Sequence, residues 1–464
     1  MTADRFSHDA RSSAEDNGMP GMRLVTVPVE EYYKRRITKE EVAPVAAGAI
    51  DALIDALVSP LAPVKTHGGA ETKQEAKTIR ITAEEYDLAL EKFNQLFLDN
   101  HWGSGLPLVP PTPGRVEWML SGTSRSRDEV IGTVAPKNGI ATIEGIAINS
   151  VMAGARPEYL PVIIAAMEGL TDRRYDLLHM MASTGSFTLQ IIVTGPIAEE
   201  IGMNADIALL GHGWRSNNTI GHAVRLCLTN IGLSWPGEND MAVMGRPWPH
   251  TFLTFAENHA KSPWPPYHTS VGFEADDNCV TVATMMTHSS PAGTIIFGGG
   301  AVETWTPQSI LDHIVDAILR GRSSMTIWRA GTAIPSPQRH NIFLQPDAAL
   351  ELSRLGYTPQ SLQRYLYDRA RIPYGDLSEE EKRSIRRRID DGEIPQSSRA
   401  VFEEGLKPGG SLPILNSPED CRIMVAGGTP GYSFGTSYFS TPPYGETSIL
   451  TKRIHGAALT KAGR

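Results

Sequence analysis

The sequence has few cysteines and lacks the motifs of the most familiar metal and nucleotide sites. Its three cysteines, Cys227, Cys279 and Cys421, are widely separated and form no CxxC pair, so neither a disulfide framework nor a zinc ribbon is predicted. HExxH, the P-loop and G-x-G-x-x-G are also absent, which argues against zincin, P-loop and dinucleotide-binding chemistry. We therefore predict no metal site, and the sequence identifies no cofactor.

An excess of positive charge is also missing. The chain has 43 Lys and Arg against 52 Asp and Glu, for a formal net charge of -9, so it has no electrostatic footprint for nucleic acid. The basic run at residues 383–388 directly follows three glutamates, which is typical of a solvated helix face. We predict no nucleic-acid partner.

Long uninterrupted apolar segments are absent too. The most helix-like apolar stretch, residues 43–61, contains Asp51 and Asp55 and indicates an amphipathic helix rather than a membrane span. The first residues are polar and charged, without the apolar core of a secretory signal. These features predict a cytoplasmic protein with no membrane partner.

Strand-like and helix-like segments alternate along the chain, which predicts an α/β fold, with mixed α+β as the alternative. We expect a disordered leader at residues 1–18, a small strand–helix arm at 19–61 and a polar linker at 62–78. Residues 79–464 should form one large body of helices packed on a mixed sheet.

A polar loop at residues 211–219 offers the clearest candidate binding site. Ser, Asn and Thr side chains precede an amphipathic helix there, so they could cap it and leave backbone N–H groups for an anion. The predicted substrate-binding residues of this loop are Arg215, Asn217, Asn218 and Thr219. The alternative is that the Asn side chains only cap the helix and Arg215 pairs at the surface.

Two apolar strands are predicted to end in glycines, at residues 298–300 and 427–428. Glycine at a strand end lets a ligand approach the backbone closely, so we also expect Gly299, Gly300 and Gly428 to bind substrate. An ordinary tight turn at each position is the alternative.

His250 and Glu257 are the candidate catalytic residues. They lie in an aromatic, proline-rich stretch that is suited to the apolar wall of a pocket, where either side chain could transfer a proton. The same stretch contains His259 and His268, but the spacing of the three histidines matches no known zinc pattern.

Three long segments resemble a large, mostly uncharacterised bacterial family associated with UGSC or CGSC (seleno)cysteine-motif proteins. They read DNHWGSGLPLVPPTPGRVEWML, IAINSVMAGARPEYLPVIIAAMEGL and GWRSNNTIGHAVRLCLTNIG, and the resemblance extends over roughly residues 80–450. Members of this family occur beside, or fused to, a small domain that carries the cysteine motif. The resemblance therefore implies a small UGSC- or CGSC-type subunit as a partner.

The chain departs from this family at the residues that carry sulfur. Its segment 19–61 resembles the last strand and helix of the small domain, but the Cys-Gly-Ser-Cys element is absent. Relatives also carry a cysteine at the position of Ala155, and a basic or histidine turn at residues 431–433. The resemblance thus implies that a reactive sulfur comes from another polypeptide, or that the chain works without one.

These observations favour an enzyme, or the large subunit of one, that acts on a small polar organic molecule. Thiol-linked redox or lyase chemistry with a small cysteine-containing partner is the leading expectation. One alternative is a single-chain hydrolase that uses His and Glu, with or without a metal. The other is a non-catalytic scaffold subunit for a cysteine protein. We expect a homo-oligomer, because intracellular enzymes of this size are commonly symmetric.

Overall fold

The computed structural model of the chain describes residues 2–7, 10–11, 14, 19, 21–29, 38–59, 78–285, 287–289, 307–326, 338–392, 394, 396–415, 417–429, 434–440 and 447–456. The predicted linker at 62–78 lies outside this part of the chain except for Thr78, and Gly299 and Gly300 lie outside it as well.

The described α-helices are α1 (Lys39–Val58), α2 (Tyr86–Asp99), α3 (Pro113–Leu120), α4 (Ile143–Met152), α5 (Leu160–Leu170), α6 (Leu177–Ala182), α7 (Ile197–Glu200), α8 (Arg215–Asn230), α9 (Pro307–Thr326), α10 (Pro346–Arg354), α11 (Pro359–Arg369), α12 (Glu379–Asp390) and α13 (Gln396–Gly405). The strands are β1 (Thr2–Ala3), β2 (Thr26–Val27), β3 (Val130–Val134), β4 (Gly139–Thr142), β5 (Thr188–Thr194), β6 (Leu253–Ala256), β7 (Cys279–Met285), β8 (Thr287–Ser289), β9 (Gln338–Leu344), β10 (Arg371–Pro373), β11 (Ser411–Pro413), β12 (Cys421–Val425), β13 (Phe434–Ser440) and β14 (Ile449–Arg453). This mixture of helices and strands confirms the predicted α/β class.

Local sequence signals set the ends of several elements. Helix α1 begins at Lys39, because Thr38 and Glu41 form a reciprocal capping box that satisfies the first backbone donors. Helix α4 ends just before Gly154, whose φ of 75° is the left-handed conformation that terminates helices. Strand β5 is buried at every position, as its continuous apolar pattern predicts.

Two four-stranded sheets form the centre of the described body. The first has the order β14-β7-β5-β6, and β5 pairs in parallel with β6 and antiparallel with β7. The second has the order β12-β9-β13-β8, and β9 pairs in parallel with β12 and antiparallel with β13. In each sheet the fourth strand is antiparallel to its neighbour. The two sheets therefore share one topology.

The chain passes from one sheet to the other at equivalent places. After supplying β5, β6 and β7 to the first sheet, it continues into β8 of the second; after β9, β12 and β13 of the second, it returns to the first as β14. The amide of Asn341 on β9 donates to Gln190 on β5 across the buried interface, at 2.8 Å. The body is thus a duplicated unit in which each half completes the other's sheet.

Helices cover the outer faces of the two sheets and give four layers. Residues of α4, α5 and α8 share a hydrophobic core with β5 and β7, and residues of α9 to α13 share a second core with β9 and β12. Between the sheets lies a third cluster that includes Ile192, Phe255, Phe343 and Met424. This arrangement fixes both ends of β6, where the candidate site residues lie.

The first residues of the chain pair with the N-terminal arm. Within residues 1–18, which were expected to be disordered, β1 pairs in parallel with β2, because the Thr2 amide donates to the Val25 carbonyl at 2.9 Å. Helix α1 leaves Ile50, Ile54 and Leu57 exposed. Within the described residues, no helix is long and apolar enough to cross a membrane.

Candidate functional site

Asn217 ties a loop to the start of α8. Its side-chain oxygen accepts from the Asn204 amide at 2.9 Å, and its nitrogen donates to the carbonyls of Asn204 and Leu209 at 3.1 and 3.4 Å. The side chain is buried, and these contacts engage its oxygen and its nitrogen. The geometry therefore gives Asn217 a structural task, and contact with a ligand would require these bonds to break.

The helix starts earlier than a capping role for this polar cluster requires. Arg215 is already the first residue of α8, and its N-cap, Trp214, makes no side-chain cap hydrogen bond. Asn218 and Thr219 donate back to the carbonyls of Trp214 and Arg215, each at 2.8 Å. The expected helix cap is therefore wrong, because these side chains bond one turn backward within the helix.

Arg215 and Gly428 lie against backbone from other parts of the chain. The exposed Arg215 guanidinium donates twice to the Gly154 carbonyl, at 3.2 and 3.1 Å. A Cβ on Gly428 would come within 2.1 Å of the Ile207 side chain, so this glycine permits the close packing of a loop on β12. Gly428 and Asn217 therefore both contact the loop at residues 204–209. The Arg215 guanidinium instead contacts the end of α4.

Glu257 is a buried carboxyl group at the end of β6. Only 3% of it is exposed, and burial raises its pKa to about 7, although backbone N–H groups of Tyr267 and Val425 donate to it. Its oxygens lie 3.2 and 2.9 Å from the Tyr267 nitrogen. Among the described residues no cation offsets this burial, so the pKa of the group stays near neutral.

Glu257→Gln should remove a pH dependence of stability. Because the folded pKa is about 7 against an ordinary 4.5, the folded state keeps this proton over that interval while the unfolded chain releases it. The stabilisation is complete below pH 4.5 and is lost as pH rises through 7, a change of about 3 kcal/mol. Urea unfolding from pH 4.5 to 8 should therefore show the wild type losing stability relative to the variant. Parallel curves would show that Glu257 does not titrate in this range.

His250 lies at the other end of β6 from Glu257. A strand rises about 3.3 Å per residue, so the four residues of β6 separate the backbone at its two ends by about 10 Å. Proton transfer requires hydrogen-bond contact with the reacting group. The two predicted catalytic residues therefore lie at opposite ends of this strand.

Two buried arginines near His250 have opposite environments. Arg246 donates to the Asp240 carboxylate at 2.8 Å and to the Met181 and Phe187 carbonyls at 2.6 and 3.1 Å. Arg225 is 9% exposed, lies 4.1 Å above the Phe252 ring and donates no hydrogen bond to any described residue, and its Nε is fully buried. Burial and the charge of Arg246 lower the pKa of Arg225 to about 10, and Asp240 offsets this only in part. The single carboxylate of Asp240 thus faces both Arg225 and Arg246, and one of the two positive charges is not compensated by it.

Two neutral histidines and a serine complete this region. Burial, together with the nearby His250 and Arg225, lowers the pKa of His222 to about 4, and burial and Arg225 also lower the pKa of His250. His222 Nε2 lies 2.7 Å from Ser104 Oγ, whereas His250 Nδ1 is buried without a partner in the described structure. We call Ser104, His222, Arg225 and His250 the Arg225 cluster.

The backbone around this cluster is unusually constrained. His222 and Arg225 are three residues apart on α8 and so lie on one helix face. A Cβ on Gly221 would come within 1.8 Å of the Thr251 carbonyl, so only glycine lets the His250 segment approach the helix. Trp248 and Phe252 have φ values of 50° and 52°, a left-handed conformation that costs about 1–3 kcal/mol for such residues. Strain of this kind concentrates at functional sites.

Other candidate chemistry receives less support. Among the described residues, no three His, Cys, Asp or Glu side chains could hold a metal ion, and His268 is bonded to Thr194 and the Glu274 carbonyl. Burial raises the pKa of Cys279 to about 12 and also raises those of Cys227 and Cys421. Thiolates are the reactive form of cysteine, so these three thiols are poor nucleophiles.

A G-x-S-x-G string is present at residues 431–435 but does not fit a nucleophile elbow. The elbow is a turn from a strand into a helix, whereas this string runs into strand β13. Ser433 itself lies outside the described residues.

A charged cleft of about 830 Å³ lies away from the Arg225 cluster, beside α5 and β14. Asp172 in this cleft accepts from both Arg174 and Lys452, each at 2.8 Å. Burial opposes these bonds only in part, so Arg174 and Lys452 hold the pKa of Asp172 well below its usual range. Mutual pairing neutralises this carboxylate, which distinguishes the cleft from the Arg225 cluster.

Comparison of the chain with protein-family models, curated proteins and solved structures gives no match. Of the predicted site residues, the Arg225 cluster includes only His250. Sequence reasoning missed Ser104, His222 and Arg225, although His222 and Arg225 lie in the helix that follows the predicted polar loop. The available signal was a charged residue within an apolar run, because Arg225 stands among Ala223, Val224, Leu226, Cys227 and Leu228.

Proposed function

We propose that the chain is an enzyme, or the large subunit of one, that binds a small organic anion at Arg225. The guanidinium of Arg225 is the observation that carries this proposal, because it is largely buried, its Nε is fully buried, and it donates no hydrogen bond to any described residue. A buried charge is normally paired, so an anionic group of a substrate would supply the missing partner. Guanidinium groups bind carboxylate and phosphate through two parallel hydrogen bonds.

The neighbouring histidines provide the proton-transfer groups. His222 and His250 are neutral at pH 7, so each can accept a proton from a bound molecule. An anion at Arg225 would cancel part of the charge that lowers both pKa values and would bring them toward the operating pH. The best general bases have pKa values close to that pH. Substrate binding would thus prepare the catalytic base.

The geometry favours chemistry completed by this chain's own histidines over chemistry at its own thiols, because all three cysteines are buried. A cysteine-containing partner subunit, homo-oligomer formation and a cytoplasmic location are further parts of the proposal. The exposed apolar residues Ile50, Ile54 and Leu57 of α1 are consistent with an arm that packs on another chain.

Inorganic phosphate and succinate can test the anion site on the wild-type protein. Isothermal titration calorimetry from pH 5 to 8 should show saturable binding of both anions. Succinate is fully ionised at pH 7, and its binding there should be coupled to proton uptake by the protein, because a bound anion raises the pKa values of His222 and His250. Chloride at equal ionic strength serves as the control for nonspecific screening. Absence of saturable binding of both anions across this pH range would contradict the proposed function.

A further inference from the structure

Ser104 and His222 have the contact expected of a nucleophile and its base. Their Oγ and Nε2 atoms are 2.7 Å apart, within the range that allows direct proton transfer. Ser104 is partly exposed, whereas His222 is buried. A substrate can therefore approach the hydroxyl from solvent, with the imidazole behind it.

The loop that carries Ser104 is held on both sides. Before it, His101 has a left-handed φ of 61°, stacks on Trp235 at 3.9 Å and lies 3.2 Å from the Glu238 carboxylate. After it, Gly105 has a φ of 86°, and the Leu108 amide donates to Asn94 at 2.7 Å. These anchors fix the direction of the hydroxyl and limit the conformational entropy lost when it reacts.

The protonation state of His222 suits this contact. Burial is the main cause of its low pKa of about 4, so the imidazole is neutral at pH 7 and can accept the serine proton. No described carboxylate bonds to its other ring nitrogen, so the pair would work as a dyad. Arg225, on the same face of α8, lies where it can bind the anionic group of the substrate.

We propose that Ser104 is a covalent nucleophile toward a small ester or thioester that carries a carboxylate. Its Oγ forms a bond to the acyl carbon while its proton passes to His222 Nε2. The bond to the leaving alcohol or thiol then breaks, and His222 returns the proton to that group. Water then gives a proton to His222 while its oxygen bonds to the acyl carbon. The bond between Oγ and the acyl carbon breaks, the acid leaves, and His222 returns the proton to Ser104 Oγ. This reaction rests on the proposed anion site at Arg225, and it names the class of substrate that this site would bind.

A fluorophosphonate probe tests the nucleophile directly, because an activated serine displaces fluoride and forms an Oγ–P bond. Intact-mass and peptide mass spectrometry of the full-length wild type should show one adduct, located at Ser104. Ser104→Ala should remove it, and Ser121→Ala should keep it, since Ser121 only donates to the Trp118 carbonyl. His222→Gln should slow labelling by about 100-fold, the contribution of a general base.

The pH profile separates nucleophilic activation from a structural contact. Labelling should stay constant from pH 6 to 8 and fall below about pH 5, where His222 becomes protonated. The thermal unfolding midpoint of Ser104→Ala should match that of the wild type, which shows that the variant is folded. No adduct at Ser104, or unchanged labelling of His222→Gln, would overturn the nucleophile assignment while leaving the anion site intact. Loss of phosphate binding in the wild type would instead contradict the proposed function.

Discussion

Replacing Arg225 by methionine is expected to weaken phosphate binding strongly while leaving the protein at least as stable as the wild type. A charge-assisted hydrogen bond contributes about 1.5–3 kcal/mol, so affinity should fall by about 10-fold to 100-fold. Methionine keeps most of the apolar stem that packs over Phe252. Calorimetric titration and thermal unfolding of the same samples provide both measurements.

The stability expectation follows from the electrostatics of the unliganded site. Arg225 keeps its proton at neutral pH, but burial and Arg246 lower its pKa from 12.5 to about 10. The charged group therefore destabilises the folded state by about 3 kcal/mol relative to the unfolded chain. Removing the charge relieves this cost, and the lost contact with Phe252 offsets part of the gain.

Arg225→Lys is the matched control, because it keeps the charge but cannot form two parallel hydrogen bonds. It should bind phosphate more weakly than the wild type and lack the added stability of the methionine variant. A large loss of stability in Arg225→Met with unchanged phosphate affinity would show instead that Arg225 is a structural residue.

Arg246→Met should have the opposite result and destabilise the protein by about 3–5 kcal/mol, the cost of breaking a buried ion pair by removing one partner. The change leaves the Asp240 carboxylate buried without its cation and removes the donors of the Met181 and Phe187 carbonyls. The urea midpoint of unfolding measures the effect.

A double variant separates charge from packing at this position. Arg246→Met with Asp240→Asn carries no unpaired carboxylate, so it should recover part of the lost stability. If the single variant lost less than about 1 kcal/mol, the extent of a weak surface pair, the contrast between the two arginines would not hold.

The sequence predicts the secondary structure and the fold class better than it predicts the arrangement of the sheets. Gly154 and the apolar run of β5 carry local signals, and the structure follows them. The duplication depends on pairing between distant strands such as β7 and β14, for which no local pattern exists. Strand order is set by long-range packing, so periodicity alone does not give it.

The candidate site shows the same limit. The aromatic stretch of the sequence points to His250, but Arg225 lies in an amphipathic helix, where a charge normally faces solvent. Only the fold shows that Phe252 and the Thr251 backbone cover this face. Asn217 shows the opposite case. Its residue type often binds ligands, but its side chain is bonded here to the backbone of Asn204 and holds a loop. Burial and partner geometry, rather than residue type, separate the two.

The exchange of β8 and β14 between the sheets has a consequence for how this architecture can arise. A single half would consist of three strands of one sheet followed by a fourth strand that pairs in another sheet. On its own, such a half chain would leave the third strand of its sheet with an unpaired hydrogen-bonding edge. Two such half chains would satisfy both edges only by forming a reciprocal, strand-swapped dimer. Joined covalently, two such half chains would have the strand order of the present chain. Because the two halves then differ in sequence, one of them can carry the Arg225 cluster while the other remains a scaffold.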